Sequence, residues 1–65
     1  MYDPNSIIDI EEVMEILKIG RNTLYKLLNS GEIPAFRIGN NWKITNGAVD
    51  AYITKQFDEA HKKNN

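Results

Sequence analysis

Two short apolar stripes at helical spacing, only three residues apart, constrain this chain more than any other feature. Ile10, Val13, Met14 and Leu17 follow the i, i+3, i+4, i+7 pattern of an amphipathic helix, and Leu24, Leu27 and Leu28 repeat it beyond the gap. Asp9 is a good N-cap, Glu12 three residues on completes a capping-box pattern, and Ile8 with Val13 has the spacing of a hydrophobic staple. The first helix is therefore expected over about residues 10–17. Gly20 is the expected N-cap of the second, with Ile19 and Leu24 at staple spacing. Gly31 supplies a left-handed end and Pro34 forbids continuation, so this helix should span about 21–30. Lys18, Ile19 and Gly20 are all that join the two.

A three-residue, glycine-containing turn between short amphipathic helices is a helix-turn-helix signature. A third helix is expected after Thr45, with a staple from Ile44 to Val49 and an apolar stripe through Tyr52, Ile53, Phe57 and Ala60. Gly47 should weaken its first turn by up to ~1 kcal/mol relative to Ala. Between the second and third helices, residues 35–44 alternate with period two on both sides of Gly39-Asn40-Asn41, which reads as a β-hairpin. A three-residue loop, Gly39 to Asn41, would pair Ile38 with Trp42 and Phe36 with Ile44 and so collect the apolar side chains on one face. The same register sets Arg37 opposite Lys43. Like charges there are unfavourable unless a phosphate lies between them, or unless both side chains splay into water. The fold class expected is mainly α with a small β-hairpin. It is a winged helix-turn-helix of three helices and a two-stranded wing, with room for a third short strand near the N-terminus. Residues 1–6 read as a flexible arm, 7–60 as the domain and 61–65 as a frayed tail.

Sixty-five residues make one domain near the lower limit for unaided folding. The chain has no cysteine, which excludes disulfides and thiolate metal sites, and its single histidine, His61, lies in the polar tail without a second ligand nearby. No apolar run approaches the ~20 residues that cross a membrane, and the first five residues do not read as a signal peptide. A cytoplasmic protein with no membrane partner and no cofactor is expected. Catalysis is the least expected class. There is no cysteine, the one histidine lies in the tail, no glycine-rich phosphate loop is present, and Glu11, Glu12 and Glu15 read as a solvated helix face.

The formal net charge of −1 hides an uneven distribution. Residues 1–17 hold five acids and no Lys or Arg, whereas residues 18–43 hold Lys18, Arg21, Lys26, Arg37 and Lys43 against Glu32 alone. Local potential, not net charge, attracts a polyanion. With its leucines inward, the second helix turns Asn22, Tyr25, Lys26 and Asn29 outward, with Arg21 at its first turn and no acid among them. Such side chains match duplex DNA, since Arg and Lys neutralise phosphate or bond guanine and Asn reads adenine. A plain solvated helix face is the competing reading for the stripe taken alone.

The segments from Ile8 to Leu17, Gly20 to Leu28, Ser30 to Gly39, Trp42 to Ile44 and Val49 to Ile53 resemble the excisionase-type DNA-binding domain, a family related to the MerR winged helix. The resemblance covers about residues 7–54, and its Gly-Glu-Ile-Pro-Ala-Phe-Arg-Ile-Gly stretch before a Trp is its most specific part. It implies that Arg21, Asn22, Thr23, Tyr25 and Lys26 lie on the recognition helix and Arg37, Asn40, Asn41 and Lys43 on the wing. It also implies double-stranded DNA as partner, with a site-specific integrase and further copies on DNA as additional ones. Roles in excision of a mobile element or in transcription follow from it as expectations. The chain departs from the family pattern at the wing tip, where Asn40-Asn41 replaces basic residues, and at Gly20, where Ser is common. Phe57 carries two readings, packing near Tyr2 and Ile7 or serving as an exposed site for a protein partner.

Overall fold

The computed structural model describes residues 2–62. Six elements follow one another: β1 (Ile7–Ile8), α1 (Ile10–Leu17), α2 (Arg21–Ser30), β2 (Phe36–Ile38), β3 (Asn41–Thr45) and α3 (Asn46–Lys62). Three helices surround an antiparallel three-stranded sheet of order β1-β3-β2. This is the winged helix-turn-helix read from the sequence, with the short N-terminal strand present.

Local chemistry sets the helix ends. Asp9 accepts a hydrogen bond from the Glu12 amide at 3.0 Å and so caps α1. Gly31, at φ 84°, closes α2 in a Schellman motif, in which the Glu32 amide donates to the Leu27 carbonyl at 3.0 Å and the Gly31 amide to Leu28 at 3.3 Å. In the turn between α1 and α2 the left-handed residue is Lys18, at φ 58°, and not Gly20, which is extended at φ −81°. A non-glycine residue there costs about 1–2 kcal/mol. The amides of Lys18 and Ile19 both return to Met14 and fix the turn.

The first three amides of α3 are satisfied by different means. Ala48 donates to the Thr45 hydroxyl at 3.1 Å, Asn46 to the Ser6 carbonyl at 3.0 Å and Gly47 to the Pro4 carbonyl at 2.9 Å. Residues 3–6, read from the sequence as part of an arm, thus supply acceptors to a helix start that would otherwise rely on water. Gly47 makes the approach possible, because a Cβ there would come within 3.0 Å of the Pro4 carbonyl oxygen. Tyr2 adds a hydrogen bond from its hydroxyl to Asp50, which raises the phenol above its ordinary pKa. Of the tail expected over 61–65, His61 and Lys62 belong to α3, and 63–65 lie outside the described residues.

The core consists of Val13, Leu24, Leu28, Ile33, Ile44, Ala48 and Val49, drawn from all three helices, β3 and the segment before the wing. Ile8, Met14, Leu17, Leu27, Trp42 and Tyr52 pack around it. The hairpin register differs from the expected one by a single residue. Phe36 pairs with Lys43, Arg37 with Trp42 and Ile38 with Asn41, across a two-residue turn of Gly39 and Asn40. The reason lies in the backbone. Gly39 takes φ 62°, whereas neither Asn40 nor Asn41 takes a positive φ, so a glycine-first two-residue turn replaces the longer loop, whose bulge needed Asn41 in the left-handed region. Trp42 and Ile44 keep their inward parity on the central strand. Phe36 and Ile38, on the edge strand, are left 49% and 60% exposed.

Candidate nucleic-acid interface

On α2, Leu24 and Leu28 are buried, Tyr25 and Leu27 are half-buried, and Arg21, Asn22, Thr23, Lys26 and Asn29 are exposed. Helical periodicity places Asn22, Lys26 and Asn29 opposite the leucines, facing away from the domain. Arg21 and Tyr25 lie on one flank of that line and Thr23 on the other. The flank of Arg21 and Tyr25 borders a groove whose far wall is the wing, formed by Asn40, Asn41, Trp42 and Lys43. Five of the nine sequence-derived candidates, Arg21, Tyr25, Asn40, Asn41 and Lys43, therefore surround one concave surface. Asn22, Thr23 and Lys26 stand on the exposed helix beside it.

The expected facing of Arg37 and Lys43 across the hairpin is not formed. With Arg37 opposite Trp42 and Lys43 opposite Phe36, alternation sends the two cations to opposite faces of the wing. No phosphate can sit between them in that register. Arg37 instead lies with its guanidinium carbon 5.2 Å from the centroid of a Trp42 ring, a cation–π contact that keeps the charge exposed while holding it on the wing.

The third wall of the groove is acidic. Asp9, Glu11 and Glu12 line it, and Arg21 donates from Nη2 to Glu11 Oε2 at 3.1 Å. This contact raises the Arg21 pKa, with the Glu11 carboxylate the larger cause and the Tyr25 hydroxyl the next. Lys18 pairs with Glu15 at 3.6 Å. The sequence separates acids from bases along the chain, and the fold brings two of the five mid-chain cations back against helix-one carboxylates. Among the described residues, Lys26, Arg37 and Lys43 have no carboxylate within salt-bridge distance. Trp42 and Glu11 are the participants that sequence reasoning missed. In the sequence Trp42 counts as an apolar side chain of the hairpin, and ten residues of chain separate Glu11 from Arg21.

A helical hairpin with a steep turn, an exposed second helix and a β-wing beside its first turn defines the class: a winged helix-turn-helix domain. Residues 7–56 match the family model described as a helix-turn-helix domain. The chain belongs to this family, in its excisionase-type form. It is 32% identical over 53 residues to a Mycobacterium tuberculosis protein named as a candidate DNA-binding protein, a match covering 80% of this chain and 68% of that one. A probable excisionase of Saccharopolyspora erythraea is 38% identical over 53 residues, covering 80% of this chain and 54% of the relative. An uncharacterized Bacillus subtilis protein is 36% identical over 45 residues, 69% of this chain but only 15% of its own length. The same fold unit is thus found in similar form within longer polypeptides. No solved structure matches the chain at a significant level.

Proposed function

We propose that this domain binds double-stranded DNA sequence-specifically, as an excisionase-like directionality factor of a mobile element. In this reading α2 enters the major groove and the β2–β3 wing lies on flanking backbone or in the minor groove. The observation that carries it is the acid-free, exposed line Asn22–Lys26–Asn29 standing beside a wing that presents Asn40, Asn41 and Lys43 toward the same side of α2. In this reading Asn22 and Lys26 read base edges, and Thr23 and Tyr25 reach backbone from the flanks. Arg37 and Lys43 neutralise phosphates on either side of the wing. Asn40 and Asn41 suit the acceptor pattern of an A·T minor groove, in which a turn without bulky charge fits. The names of the relatives support DNA binding and, for one of them, excision. A role as a small transcriptional regulator would use the same surface. Footprints at the ends of an element favour excision, and footprints confined to a promoter favour regulation.

The cations without a carboxylate partner among the described residues set the expected salt dependence. Counting Lys26, Arg37 and Lys43 as phosphate contacts, log K against log salt should slope by about −2.7, at roughly 0.9 per phosphate on duplex DNA. A salt titration with a short duplex containing the target measures it. A flat line would remove the electrostatic basis of the proposal. One domain of this size buries about 600–1,000 Å² of its own surface on DNA, so modest single-site affinity and binding of several copies at repeated sites are expected.

A second reading concerns α3. Ile53 is 41% and Phe57 66% exposed, so the packing of Phe57 beneath Tyr2 and Ile7 is not formed, and Tyr2 and Ile7 are themselves more than half exposed. Phe57 instead lies against His61, with ring centroids 4.4 Å apart and ring planes tilted by 44°. An apolar helix end beyond the core fits contact with an integrase on the same DNA. Phe57→Ala is expected to leave duplex affinity within about twofold, because the side chain is far from α2 along the chain and adds little to folding. It should weaken integrase recruitment at least tenfold in a supershift assay. Full recruitment by the variant would dismiss this contact.

A further inference from the structure

We infer that Glu11 competes with DNA phosphate for Arg21, so that a carboxylate of the first helix limits how strongly the recognition helix grips any duplex. The inference rests on the DNA-binding reading above and concerns the same surface. Arg21 opens α2, where the helix dipole and the unpaired amides already favour an anion. Its guanidinium is held at 3.1 Å by Glu11, which projects from the first turn of α1 across the helix-turn-helix. The pair is open to solvent, with the Arg21 side chain 49% and the Glu11 side chain 71% exposed. Exposed pairs of this kind are weak and exchange readily, so an arriving phosphate can displace Glu11. The displaced carboxylate stays beside the contact, with Asp9 and Glu12 lining the same groove, and repels the phosphate that replaced it. Lys26, outside that groove, carries no such handicap, and Lys43, on the far wall, makes no ion pair among the described residues.

The consequence is selective. A non-specific duplex offers phosphates at changing positions and gains little from Arg21. A target that fixes the register of α2 presents a guanine edge to Arg21 and overcomes Glu11. Glu11 thereby keeps Arg21 off the phosphates of a non-specific duplex, whereas a target complex retains its Arg21 contact and carries the cost of displacing Glu11. Both affinities are lowered, and the two complexes differ in whether Arg21 is engaged.

The test uses the whole chain and its Glu11→Gln variant, with a target duplex and an unrelated duplex of equal length. Salt titrations should show the Glu11→Gln slope steeper by about 0.9 on the unrelated duplex, with affinity there about 5- to 10-fold higher at 0.1 M salt. Affinity for the target should rise at least as much, with an unchanged slope, because Arg21 is engaged there in both proteins. The same substitution in an Arg21→Gln background should recover less than half of the gain, which ties the effect to the pair and not to net charge. Unchanged slope and affinity in Glu11→Gln would overturn the inference while leaving DNA binding in place. So would a selective loss on the target, since Glu11 would then be orienting Arg21 for a base. A wild-type protein that binds neither duplex would overturn the DNA-binding reading itself, and this inference with it. Thermal melting of every variant verifies folding, and Glu11, exposed and outside the core, should not change it.

Discussion

The double variant Lys26→Glu/Lys43→Glu is expected to lose duplex affinity by on the order of 100-fold or more at 0.1 M salt. Each lysine that meets a phosphate releases a counterion worth roughly 0.9 in the salt slope, and at 0.1 M that term alone is close to tenfold per contact. Reversal goes beyond removal, because a carboxylate then faces the phosphate. The slope should shrink from about −2.7 toward about −0.9, the share left to Arg37 on its Trp42 platform. Lys26 is exposed on α2 and Lys43 half-buried on β3, neither belongs to the buried core, and among the described residues neither has an ion pair to break, so folding should survive. The matched control is Lys55→Glu/Lys62→Glu on α3, which changes the net charge equally on a different element. Fluorescence anisotropy on the three proteins separates the possibilities. Equal losses in both doubles would assign the effect to overall charge. Unchanged binding by Lys26→Glu/Lys43→Glu would show that DNA is gripped elsewhere.

The contrast between what the chain discloses and what it conceals has a physical basis. Both short helices are legible because their determinants are local: Asp9 caps within three residues, Gly31 terminates within one turn, and the stripes repeat within a single helix. The hairpin is legible from its alternation, but its register is not. Parity treats Phe36 and Ile38 as equal in weight to Trp42 and Ile44, whereas the sheet order puts β3 at the centre and β2 at an edge. Central-strand burial then outweighs edge-strand burial, and the φ of Gly39 decides the turn. Relations between distant segments are the least visible. Gly47 reads locally as a poor helix residue, yet it admits the Pro4 carbonyl, 43 residues away, to within hydrogen-bonding distance of its amide. The same holds for the interface. Asn22, Lys26 and the wing residues follow from pattern, whereas the ion pair that occupies Arg21 depends on the angle between two helices, which no spacing rule supplies.

Leu24→Ala should unfold a large share of the protein at 37 °C, and added duplex should fold much of it again. Leu24 is fully buried on the inner face of the helix whose outer face carries Asn22 and Lys26. Truncating such a leucine costs about 2–5 kcal/mol, depending on how far the neighbours collapse into the space. A core of this size supplies only roughly 3–5 kcal/mol of net stability, with no disulfide to supplement it. The two quantities are comparable, so the substitution consumes most of the margin. Leu24→Met, which nearly conserves volume, should cost less than about 1.5 kcal/mol and melt within several degrees of wild type. Ligand that binds only the folded form contributes about 2.7 kcal/mol at a hundred times its dissociation constant, enough to offset the smaller part of the range. Circular dichroism melts with and without target duplex therefore report both roles of α2 at once. A Leu24→Ala protein that melts like wild type would mean that α2 is not anchored through its leucines. A destabilised one indifferent to duplex would mean that the ordered helix is not what DNA recognises.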